Sequence, residues 1–230
     1  MIIIGYDSLA NPWFLDTREF GAAIYTLNPD GERIPLNSGW LTVTDHESLR
    51  GHGIVEDRSG NIWLATQWDV RMFDGERWTI WDRLRLLMDW PEEEEMTASM
   101  RVITFPESDL VWLVSCDYSG PGPMGGGGAR YYLNGTWGGY SDPVSTGCVN
   151  DVHLDAEGNF WLGVDQAMWK YIPGQALWQE HPFLPFGGDI NFAFAEDITT
   201  SPVGELWVSY NQCGGASCYN YYRYLYQEGE

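Results

Sequence analysis

A chain of 230 residues with 33 acidic and 12 basic side chains, a formal charge of −21, repels polyanions, which excludes nucleic acid as a natural partner. Its 15% aromatic share, with 13 Trp and 13 Tyr, favours half-buried strands over helices, and its length suits one all-β domain. No apolar run reaches the roughly eighteen residues of a membrane-spanning helix, and Met1 to Gly5 is too short and lacks the basic flank of a secretion signal.

Tryptophans set the register along the chain: Trp13, Trp63, Trp112, Trp161 and Trp207 are spaced by 50, 49, 49 and 46 residues. A period in the forties with short alternating strands is that of propeller blades of about four strands each. The expected fold is one all-β domain over 1–230, a β-propeller of five blades near 1–47, 48–96, 97–145, 146–190 and 191–230.

The first repeat, Asn11-Pro12-Trp13-Phe14-Leu15, is recognisable mainly by its spacing. Met1 to Tyr6 reads as a strand that completes the ring, the alternative being that the chain is a fragment of a larger propeller. The second runs from Gly53 to Trp81, with a hairpin turn at Asp74-Gly75. Next comes an irregular stretch, Arg83 to Thr97, whose Pro91-Glu92-Glu93-Glu94-Glu95 reads as a solvated acidic loop. The third repeat, around Val111-Trp112-Leu113, has Asp109 in place of the turn glycine, and Asp117 to Ala129 reads as a glycine- and proline-rich loop.

The fourth repeat, Val149 to His181, is the most regular. Here and in the second, Asp155 and Asp57 stand three residues before Gly158 and Gly60, where a carboxylate bonds turn amides and glycine takes positive φ. The tryptophans that follow pack between neighbouring blades, because one blade cannot bury its own faces. In the fifth, Glu205-Leu206-Trp207-Val208, Ser201 replaces the aspartate, and after Tyr219 to Tyr226 there is no clear outer strand.

Glu56-Asp57-Arg58-Ser59-Gly60-Asn61-Ile62-Trp63-Leu64-Ala65-Thr66, followed by Arg71-Met72-Phe73-Asp74-Gly75-Glu76-Arg77-Trp78-Thr79, resembles the two-component regulator propeller repeat, and Asp155 to Val164 resembles it nearly as well. The resemblance spans the chain in period and two units in detail. It implies a propeller of the kind found in extracellular sensor regions of bacterial regulators, hence an extracytoplasmic place. Virginiamycin lyases are similar propellers that use histidine, glutamate and magnesium, but their catalytic pattern finds no match here.

Eleven residues before the tryptophans stand His52, Arg101, Asn150 and Glu196, joined by Asp151 and Asp197 one step on. In a propeller these lie at the mouth of the axial channel, where polar groups from several blades grip a small polar ligand or ion, or simply line a water-filled channel. Four residues after the tryptophans come Thr17, Gln67, Cys116, Asp165 and Asn211, and with Trp68, Asp117 and Tyr118 they form a second ring suited to stacking on a sugar and binding its hydroxyls, or to a protein interface.

None of His46, His52, His153 and His181 falls in a metal-ligand spacing, so no catalytic residue and no metal ligand is assigned. Cys213 and Cys218 are placed to close a local disulfide, with free thiols the alternative. The expected function is non-catalytic ligand binding, sensing or protein interaction. A lectin-like glycan binder is the alternative, and a propeller-type lyase or hydrolase the third reading. No cofactor is expected beyond a structural divalent cation compatible with the acidic surface, and the expected partner is a protein or a small polar ligand or glycan, within a larger chain or complex if the chain is a fragment.

Overall fold

The computed structural model describes residues 2–6, 11–16, 23–28, 30–35, 54–66, 69–82, 99–117, 126–139, 143–144, 148–164, 167–182, 192–201, 205–214 and 217–226. These residues form nineteen strands and no helix, hence nothing helical among them that could cross a membrane. They form five meanders. The first holds β1 (Ile2–Tyr6), β2 (Pro12–Asp16), β3 (Ala23–Leu27) and β4 (Arg33–Pro35); the second β5 (Ile54–Glu56), β6 (Ile62–Ala65), β7 (Asp69–Phe73) and β8 (Trp78–Asp82). The third holds β9 (Ser99–Ile103), β10 (Val111–Asp117), β11 (Gly126–Leu133) and β12 (Thr136–Gly138). The fourth holds β13 (Val149–Leu154), β14 (Phe160–Val164), β15 (Ala167–Ile172) and β16 (Leu177–Pro182), and the fifth three strands, β17 (Phe192–Thr200), β18 (Leu206–Gly214) and β19 (Ser217–Tyr226). Neighbours in sequence are neighbours in each sheet, and the first two meanders touch through one parallel bridge, Gly5 to Ile54.

Packing divides the chain into two compact units, Met1–Leu86 with Ser99–Val111, and Leu87–Ala98 with Trp112–Glu230. In the first, Trp13 and Ile24 pack on Ile54, Ile62, Leu64 and Phe73 of the second meander. In the second unit, Trp112 meets Phe160, Tyr171 and Trp178 of the fourth meander with ring centroids 5.3, 6.0 and 6.3 Å away. Trp161 and Met168 pack on Ala195, Ile198, Leu206 and Val208 of the fifth. In these three joints the tryptophan of one repeat is buried against the sheet of a later one, Trp13 against the second, Trp112 against the fourth and Trp161 against the fifth. Gly163, two residues after Trp161 on β14, marks a close approach of the two sheets, since a Cβ there would collide with the Cβ of Ala195.

The turn before each well-formed tryptophan is built around its aspartate. Asp57 Oδ1 accepts the amides of Ser59 and Asn61 at 2.9 Å, and Oδ2 accepts the Trp63 indole N–H at 2.7 Å. Asp155 repeats this with Glu157, Asn159 and, at 2.9 Å, the Trp161 indole. Gly60 and Gly158 take φ of 82° and 85°, which glycine adopts without strain. Lys170, opposite Trp161 on β15, is buried with its Nζ 4.0 Å from Asp155, 3.8 Å from Glu157 and 5.1 Å from the Trp161 ring centroid. Burial opposes ionisation of Asp155 more than any other single influence, yet the bonds from the Asn159 amide, the Trp161 indole, the Asn159 side chain and the Glu157 amide together hold its pKa below the ordinary carboxylate value.

Four expectations change. Ile2–Tyr6 pairs antiparallel with β2 of its own repeat, from Ile2 to Leu15 through Tyr6 to Pro12, rather than serving as an outer strand for the end of the chain. Gly126 to Ala129 belong to β11 and not to the loop before it, while Arg83 to Thr97 lie outside the described residues. Asp117 and Asn211 sit in strands rather than in loops, because β10 and β18 run on past the point where the second and fourth repeats turn. Cys116 is likewise in β10, and it is joined to Cys148 by a disulfide that the sequence reading did not assign.

Candidate functional site

The first strand of the fourth meander, β13, carries two of the expected mouth residues, and both are engaged by backbone. Asn150 Nδ2 donates to the carbonyl of Ala195 at 2.9 Å, and Asp151 Oδ2 accepts the amide of Ile198 at 2.9 Å. Two residues on, His153 Nε2 lies 2.9 Å from Thr200 Oγ1. These contacts bracket a bulge at Ala195 and Asp197 in β17, where the backbone departs from its ladder and needs other partners. A side-chain clamp thus joins the first strands of the fourth and fifth meanders, β13 and β17.

Burial lowers the pKa of His153, with the Asp155 and Asp197 carboxylates pulling it back upward by less. A base whose folded pKa lies below its unfolded value of about 6.5 contributes stability that is present above that value and lost as pH falls through the folded one. The wild-type protein is therefore expected to lose urea resistance on acidification from pH 7.5 to 5.5, and His153→Gln, which keeps a partner for Thr200, to lose less. Equal losses in the two proteins would show that His153 does not carry the effect.

The fifth repeat holds a cleft of about 330 Å³ lined by Asp197, Thr199, Thr200, Ser201, Trp207, Val208 and Ser209. Register explains the lining: Asp197 faces Ser209 and Thr199 faces Trp207 across β17 and β18, so these four share one face of the sheet. Asp197 and Thr199 are exposed. Trp207 differs from Trp63 and Trp161 in that its indole N–H has no hydrogen-bond partner among the described residues. The cause is sequence, for Ser201 stands where the aspartate would be, and its short hydroxyl accepts the Glu205 amide at 3.1 Å. Ser201→Asn, whose carbonyl reaches further without adding charge beside Glu205, is expected to raise the unfolding free energy by about 1 kcal/mol in urea titrations, with no gain if the indole is not the group at fault.

Of the other mouth residues, Arg101 is exposed on β9, Glu196 lies at the β17 bulge, and His52 falls outside the described residues. In the second ring, Gln67, Trp68, Tyr118 and Asp165 are also outside them. The two ends of the loop that carries Gln67 and Trp68 are braced: Thr66 Oγ1 donates to Asp69 Oδ1 at 2.9 Å, and Asp69 takes both Arg71 Nε and Nη2, at 2.9 and 2.7 Å. Cys213 and Cys218 are direct backbone partners across the β18–β19 hairpin. No three His, Cys, Asp or Glu side chains gather in a metal-binding group among the described residues.

Asp197 stands out in the sequence by its spacing from Trp207, whereas the grouping of Thr199, Trp207 and Ser209 with it depends on strand register. The one signal the sequence offers is Ser201 in place of the aspartate.

No protein-family model and no curated protein sequence matches the chain. Among solved structures it is similar to the extracellular domain of a putative hybrid two component system from B. thetaiotaomicron, with a TM-score of 0.54 and 10% identity over 90% of this chain. A second structure of that domain, described as belonging to a putative one component system, gives 0.48 and 12% over 90% of this chain. This chain spans 26% of the length of each. A putative gluconolactonase gives 0.42 and 14% over 84% of this chain and 67% of its own.

Proposed function

We propose that the five meanders are blades of a β-propeller and that the chain is a non-catalytic binding module, the ligand- or partner-sensing part of a bacterial regulator exposed outside the cytoplasm. The observation that carries this reading is the likeness, over 90% of the chain, to the extracellular domain of a two component system. The Cys116–Cys148 disulfide supports the compartment, since such bonds persist where the surroundings are oxidising. The use of Asn150, Asp151, His153 and Asp155 as structural partners supports binding over catalysis, because a general base must be within reach of a substrate proton. The face bearing Asp197 is where a small polar ligand or a protein would meet the chain. The braced loop at Thr66 and Asp69 favours a glycan as the second reading, because fixed loop ends lower the cost of ordering a stacking surface.

Calorimetric titration with a panel of mono- and oligosaccharides, organic acids and amino acids, with and without magnesium, tests the proposal when product formation is followed in the same samples. Saturable heat with unchanged ligand supports it. Magnesium-dependent consumption of any panel member would establish an enzyme and overturn it.

A further inference from the structure

The clamp that β13 applies to β17 has a counterpart in the next repeat with nothing described in its grip. Counted from the tryptophans, Asp151 and His153 of the fourth repeat correspond to Asp197 and Thr199 of the fifth, and Trp161 to Trp207. In the fourth repeat, Asp151 holds the amide of Ile198 while Trp161 is buried against the Ile198 side chain. In the fifth, Asp197 and Thr199 are exposed and, with Trp207 and Ser209, line the cleft of about 330 Å³.

We propose that this cleft captures an extended segment of a basic protein partner in the way β13 holds β17. The Asp197 carboxylate accepts a backbone N–H of the incoming segment, the hydroxyls of Thr199 and Ser209 bond its neighbouring polar groups, and Trp207 packs against one of its branched apolar side chains. At about 3.3 Å per residue, the row from Asp197 to Ser201 accommodates four or five residues of strand. The formal charge of −21 chooses among occupants: it repels a second copy and draws in a segment that alternates apolar residues, facing Trp207, with basic ones. The proposal rests on the binding-module reading and names its partner class.

The probe is a blocked hexapeptide, Val-Lys-Val-Lys-Val-Lys, titrated calorimetrically into the full chain at moderate salt, beside the same peptide with its backbone amides N-methylated. Charge is identical in the two, and only the first donates backbone N–H groups. Binding of the parent peptide is expected to weaken about tenfold on N-methylation and about tenfold in Asp197→Ala, the effect of one lost hydrogen bond to a charged group, and less than twofold in Asp82→Ala, which removes the same charge from an exposed position on β8. An unchanged thermal midpoint certifies the Asp197→Ala fold. Equal binding of the two peptides, equal effects of the two substitutions, or no binding of the parent peptide overturns strand capture. If the small-molecule panel still gives saturable binding, the binding-module reading survives that result.

Discussion

Trp161→Ala is expected to lower the unfolding free energy by about 3–5 kcal/mol, the range for deleting a large aromatic from a packed core. Trp161 is 3% exposed and fills the joint formed with Ala195, Ile198, Leu206 and Val208. Its removal opens a cavity whose collapse is resisted by the close approach of Gly163 to Ala195, where a Cβ would already clash. It also strips Asp155 of the indole N–H and Lys170 of the ring beneath it, so a half-buried carboxylate and a buried ammonium lose part of their surroundings. Urea titration followed by far-ultraviolet circular dichroism measures the loss, and a value below about 1 kcal/mol would contradict this assignment of the joint.

Loss of the Cys116–Cys148 bridge is expected to cost nearly as much. The two half-cystines are separated by 32 residues, a loop that includes β11 and β12, and chain-entropy arguments assign a closed loop of that size about 3–4 kcal/mol. Both residues are buried at 2–3% exposure, so reductant reaches the bond only when the surrounding structure opens. Cys116→Ser combined with Cys148→Ser and the wild type unfolded in reductant are expected to share one urea midpoint, well below that of the oxidised wild type. A double variant as stable as the oxidised protein would remove the bridge from the account of stability.

Local features were legible in the sequence because their partners are near in the chain. The aspartate, the glycine three residues on and the tryptophan six residues on form one turn, and the structure contains it at Asp57 and Asp155 with the same bonds. The all-β architecture followed from tryptophan spacing and alternation for the same reason. What could not be read depends on register between repeats. Asn150 and Asp151 were located as polar residues on an inner strand, but that their bonds go to Ala195 and Ile198 depends on where the β17 bulge falls against β13. The pairing of Cys116 with Cys148 required the end of β10 to be brought beside the start of β13. The cleft beside Trp207 depends likewise on the pairing of Thr199 with Trp207, two residues whose spacing in the sequence carries no sign of it.

The one parallel bridge between the first two meanders, Gly5 to Ile54, has a consequence for how the protein opens. Among the described residues the ladder bonds lie within a meander apart from that bridge, whereas the joints between neighbours are packed side chains and a few side-chain bonds to backbone, such as that of Asp151 to the Ile198 amide. Amide exchange should therefore proceed in steps the size of a repeat, one sheet surrendering its protons while the next retains them, as in a row of weakly coupled elements.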